Sequence, residues 1–173
     1  MNLGRSSTVC FAVGLAAALL LAPLRAAAET PVSLHVTDLN GAAMEIPTGL
    51  PQRRTLLLIG FRHVDHSALE IWRRGLDLRA EDTDWFEIPV IGVRNPMIRS
   101  MIVLGMQRGV ASFAERARLA PAFADTAAVA AQLGVDPNQP AAVVLDRSGR
   151  ILARASGAFD PAQAQALKSA LRH

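Results

Sequence analysis

The sequence predicts an α/β domain: a mixed sheet flanked by helices, extended by an N-terminal β-hairpin and an apolar helical insertion. Three observations carry this prediction. Thr55–Gly60 and Ala141–Leu145 are short continuous apolar runs, as expected for strands covered on both faces. Helical patterns with caps alternate with them, so the first strand pair is a βαβ unit, which is right-handed and parallel. Asp146-Arg147-Ser148-Gly149 then joins two strands through a turn short enough only for an antiparallel pair. One sheet must hold both kinds of pairing.

In chain order, residues 1–28 read as a secretory signal peptide. Arg5 makes a basic start, Val9 to Ala22 is apolar, Pro23 breaks the run, and Ala26-Ala27-Ala28 supplies the cleavage pattern. Residues 29–54 form the hairpin and a connector. Val32–Val36 alternates apolar and polar, Asn40-Gly41 is a type I′ turn signal, and Met44 and Ile46 begin the return strand. His35 falls on the polar side of that hairpin. Residues 55–173 carry the main domain. After the strand Thr55–Gly60, Ser67 and Glu70 have capping-box spacing, so a helix is expected from Ser67 to about Arg79 with Leu69, Trp72 and Leu76 inward. Trp85–Gly92 is a second apolar strand, and Pro89 within it points to an edge position or a bulge.

Asn95-Pro96 is an N-cap and first helical position, and Gly109 closes the helix they open. This insertion is unusually apolar and carries Met97, Met101 and Met106. Ser112–Arg118 is a short helical turn or loop, and Leu119–Phe123 a brief strand. Asp125 or Thr126 caps a helix that runs to Leu133 and stops at Gly134. Pro140 precedes the strand Ala141–Leu145, Arg150–Ser156 returns, and Asp160-Pro161 starts a last helix with Ala164, Leu167 and Leu171 inward.

Composition excludes several function classes. Of the 18 basic residues, Arg5 and Arg25 lie in the leader, and the remaining 16 face 15 acidic ones. That near balance gives no footprint for nucleic acid. The only cysteine, Cys10, also lies in the leader. A mature chain without cysteine has no thiol, disulfide or thiolate-ligand chemistry, and no integral membrane span is expected in it. The leader places it in the periplasm or outside the cell.

The run PAAVVLDRSGRILARASG from Pro140, followed by an amphipathic helix, resembles the paired last strands of thioredoxin-like domains. The resemblance implies that Pro140 is a cis-proline facing a catalytic loop at Arg62–Ser67. A thioredoxin carries Cys-x-x-Cys there; this chain does not. A narrower resemblance covers Thr55 to Leu171. It is carried by Phe61-Arg62, Trp72, Ile88-Pro89-Val90-Ile91, Asn95-Pro96, Gly105-Met106-Gln107-Arg108-Gly109, Asp125, Leu133-Gly134 and Asp146-Arg147-x-Gly149. The series is similar to the thioredoxin-like family that includes the mitochondrial ATP synthase F0-sector assembly factor. That family's role is chaperone-like, helping membrane subunits assemble.

The candidate site residues are Arg62, His63, Asp65, His66, Met97, Met101, Met106 and Pro140, read as a surface for a protein partner, such as an envelope or inner-membrane complex. Arg62 follows the central strand beside a helix N-terminus, which suits an anion; the plainer reading is an ion pair with Asp65 or Glu70. His63 and His66 with Asp65 admit a metal reading, but two histidines are too few for a closed zinc site. Met97 and Met101 at i, i+4 suit a core stripe, a plastic contact face or Cu(I) thioethers. Ser67 is explained as a cap, Trp72 and Trp85 as core aromatics. No cofactor is implied. The sequence therefore reads as an exported binding or assembly module without thiol redox activity, not an enzyme, with a periplasmic metal-handling protein or a cysteine-independent enzyme as alternatives.

Overall fold

A computed structural model describes residues 32–172, so the expected signal peptide, residues 1–28 with Cys10, lies outside the described residues. The elements are β1 (Leu34–Thr37), β2 (Ala43–Ile46), β3 (Arg54–Gly60), α1 (Asp65–Gly75), β4 (Trp85–Pro89) and α2 (Pro96–Gly109). They continue as α3 (Phe113–Arg118), α4 (Thr126–Leu133), β5 (Ala141–Asp146), β6 (Ile151–Ser156) and α5 (Pro161–Arg172).

The expected mixed sheet is present, in the order β4-β3-β5-β6. β3 pairs parallel with β4 and antiparallel with β5, and β5 pairs antiparallel with β6. Strand alternation sends successive β3 side chains to opposite faces. Leu57 and Ile59 pack against the hairpin (Leu34, Val36, Ile46) and α4 (Val129, Leu133), while Leu56 and Leu58 pack against α1 (Leu69, Trp72) and α5 (Ala164, Leu167). An unbroken apolar run is what a strand with two covered faces requires.

β4 lies at the sheet edge, as Pro89 suggested. Its outer side is covered by the chain after α3: Ala120 N donates to Glu87 O and Ala122 N to Pro89 O, 2.9 Å each. The expected strand at Leu119–Phe123 is reduced to isolated parallel bridges, Glu87 with Leu119 and Val90 with Ala122. The N-terminal hairpin pairs as its own sheet. Its turn is wider than the two residues expected. Asp38 Oδ1 accepts from Asn40 N and Ala42 N, and Asp38 N donates to Ala42 O, so a side chain organises the turn while Gly41 supplies φ +92°.

Two local expectations are corrected. α1 begins at Asp65, not Ser67, and its N-cap Val64 has no side-chain cap. Ser67 Oγ donates to Val64 O, and Glu70 is taken by Arg73, so the capping box does not form. The bond before Pro140 is not cis; the cis peptide among the described residues is Ile46–Pro47. Trans is the ordinary X–Pro preference, and the Pro140 carbonyl accepts from Gly157 N at 2.8 Å, extending the β5–β6 ladder by one bond.

Candidate functional site

Arg62–Ser67 leaves the C-terminal end of β3, the place where the sheet delivers backbone to a helix start. One buried carboxylate shapes this loop. Asp65 is 2% exposed. Its Oδ2 accepts from Phe61 N at 3.1 Å and Arg62 N at 3.0 Å, and its Oδ1 accepts from Arg62 Nε at 3.2 Å and Nη2 at 2.8 Å. A buried carboxylate is tolerated only when its oxygens are filled in this way. Of the two readings of Arg62, an anion site or an ion pair with Asp65 or Glu70, the structure shows the ion pair with Asp65.

The other residues of the loop point outward. His63 and Val64 are exposed. His66 Nδ1 lies 3.5 Å from Glu87 Oε1 on β4. By register Ile59 pairs with Ala141, so the buried Pro140 sits across from Gly60, next to the loop. Gly60 also pairs with Pro89 on the other side. The loop is thus flanked by two prolines at one end of the sheet.

Glu87 is the residue that the sequence reading missed. Its side chain is only 14% exposed, and burial raises its pKa above the ordinary carboxylate range, partly opposed by His66. The signal was a single charge inside the apolar run WFEIP. Beside it Arg73 holds Glu70 through two bonds, Nε–Oε2 at 2.9 Å and Nη2–Oε1 at 3.0 Å, and reaches Glu115 at 3.9 Å. The Arg73 hydrogen bonds lower the pKa of Glu70. Among the described residues no group of three or more His, Cys, Asp and Glu side chains converges to hold a metal. His63 and His66 gain no third ligand.

α2 forms as expected, with Asn95 Oδ1 accepting from Met97 N at 2.9 Å and Pro96 at the first position. Its methionines do not act together. Met97 and Met101 share the outer face at 75% and 67% exposure, with Ile98 and Leu104 also exposed, whereas Met106 is half-buried on the inner side. That inner side is held by Arg99 over the Phe123 ring at 5.1 Å and by Gln107 Nε2 donating to Leu39 O at 2.7 Å. No residue of α2 is buried, so the core reading of the methionine stripe is overturned. A small domain with both sheet faces already covered has no place left for a third apolar helix face.

At the opposite end of the sheet lies a cleft of about 910 Å³ between Arg53, Arg54, Glu81, Asp82, Asp84, Asp146 and their neighbours. Interleaved charges of both signs and little apolar lining make it a solvated groove.

No family model matches the sequence, and no curated protein matches it. Solved structures do. A putative electron transport protein from Aquifex aeolicus matches with a TM-score of 0.56 and 12% identity over 83% of this chain and 98% of that one. The exposed lipoprotein thioredoxin of Streptococcus pneumoniae matches with a TM-score of 0.54 and 11% identity over 79% and 98%. StoA from Bacillus subtilis matches at 0.50 and 12% over 81% and 98%. Identities this low establish the fold alone. The protein has a thioredoxin-like fold, with an Arg62–Asp65 ion pair in the loop that leaves β3.

Proposed function

We propose that the chain is an exported thioredoxin-fold binding or assembly module, chaperone-like and without thiol redox activity. The observation that carries this reading is α2, an apolar helix with no buried residue standing on a domain whose core is otherwise closed. Exposed apolar surface of this kind marks an interaction site. The loop supports it from the chemical side. Arg62-x-x-Asp65 has the spacing of a redox pair and none of its chemistry, since the whole chain has one cysteine, Cys10, and one cysteine forms no internal disulfide.

The contact surface comprises the exposed part of the Arg62–Ser67 loop and the outer face of α2 with Met97 and Met101, while the buried Pro140 backs the loop from just ahead of β5. Export rests on the leader pattern of residues 1–28. The resemblance to the F0-sector assembly factor family supplies the partner class, a membrane complex or its subunits.

Photo-crosslinkers placed at Val64 and at Met101 in intact cells test the reading. Capture of the same envelope or membrane protein from both positions is expected. If neither position captures a protein while the variants remain folded, the module has no partner on this surface and the reading fails.

A further inference from the structure

The outer face of α2 combines two properties that together select one kind of occupant. Within the helix, Met97, Met101, Leu104 and Arg108 follow one another at spacings of four, three and four residues, which is a single stripe. Arg94 stands exposed just ahead of it and Arg108 exposed at its end, so cations bracket the apolar residues. Between Glu87 and Glu115 the chain contains no acidic residue, only Arg94, Arg99 and Arg108. Arg99 is turned inward onto Phe123 and the Val93 carbonyl. An all-basic rim around exposed methionine and leucine complements a surface that is apolar inside and anionic outside.

We propose that α2 docks in the interfacial layer of an anionic lipid bilayer, Met97, Met101 and Leu104 entering the acyl boundary and Arg94 and Arg108 meeting lipid phosphates. Its 14 residues extend about 21 Å at about 1.5 Å per residue, short of the roughly 30 Å hydrocarbon core. The helix lies along the surface, and its inner-side anchors to Phe123 and Leu39 hold it to the domain in that pose. The proposal rests on the reading of α2 as a contact surface and gives that surface a lipid occupant beside the membrane partner.

The test uses the full chain with Cys10→Ser and an environment-sensitive fluorophore on Met101→Cys, compared with the same label on Glu81→Cys at the other end of the sheet. Because the label reports its own surroundings, membrane contact by the apolar leader does not imitate docking of α2. Vesicles of phosphatidylglycerol and phosphatidylethanolamine are expected to protect the Met101→Cys label from aqueous iodide several-fold and to leave Glu81→Cys unprotected. Arg94→Gln/Arg108→Gln is expected to shift the docking equilibrium toward the free helix by about thirtyfold. Equal iodide quenching with and without these vesicles, or equal protection by phosphatidylcholine alone, overturns the proposal. So does protection without vesicles that grows with protein concentration, since the occupant is then a second copy. No partner protein is present in this measurement, so its failure leaves the crosslinking result standing, and the reverse holds too.

Discussion

Asp65 grips Arg62 twice: Oδ1 takes the guanidinium at 2.8 Å and 3.2 Å while Oδ2 takes the backbone N–H at 3.0 Å. A fourth acceptance, from Phe61 N, ties the same carboxylate to the end of β3. The loop is therefore closed by charge and hydrogen bonding across an i, i+3 interval.

The two partners are not equivalent, and their substitution separates them. Asp65→Ala leaves two backbone amides without acceptors and is expected to cost roughly 2–4 kcal/mol in urea denaturation. Arg62→Ala takes both donors from the buried Oδ1 but keeps the two backbone bonds to Oδ2, so it is expected to cost less, about 1–2 kcal/mol. Equal losses from the two would contradict the view that Asp65 organises the loop.

Glu87 makes a pH prediction. Burial raises its folded pKa, so the folded state binds the proton more tightly than the unfolded state. Its contribution is then fully present below the unfolded carboxylate value and is lost as pH rises through the folded one. Glu87→Gln removes that loss. The variant is expected to gain stability over the native chain at pH 7, with the gain vanishing near pH 4; denaturation at the two pH values decides it, and a gain that is equal at both sinks the argument.

Trp72 joins the core to the β6–α5 connection. It is fully buried, donates from Nε1 to Gly157 O at 3.0 Å, and meets Phe159 edge-on at 5.1 Å. Trp72→Phe is expected to lose about 1–3 kcal/mol by orphaning that carbonyl, and Trp72→Ala about 3–5 kcal/mol through the cavity. Thermal unfolding of both variants gives the comparison.

On α2 the expectation reverses. Met97→Ser/Met101→Ser touches only exposed positions, so stability should change by no more than about 0.5 kcal/mol for each, while crosslinking from Val64 to the partner should fall. A large stability loss would return α2 to the core.

Much of the architecture was legible in the sequence for a physical reason: burial on two faces, one stripe or one side leaves a period in the residues themselves. Thr55–Gly60 between two covered faces, Asn95-Pro96 at the start of α2 and Asp125 capping α4 are local rules acting on local neighbours. The helix start at Asp65 was not legible, because Ser67 and Glu70 obey the same capping rule and lost to a carboxylate whose acceptors' partners lie upstream. Pro140 could be placed beside the loop through strand pairing, but that its bond is trans was not legible from that placement.

By itself, then, the sequence determined the order of strands and helices, the absence of thiol chemistry in residues 32–172, and the apolar, acid-free character of residues 88–114. Only the tertiary structure decided that Asp65 is buried and paired, that Glu87 faces His66 under α1, and that Met97 and Met101 look outward while Met106 looks in. Periodicity records how often a side chain meets a neighbour along one element. Which neighbour it meets, and whether any is left to cover it, is settled when β4, α1 and α2 take their places around a sheet already closed on both faces.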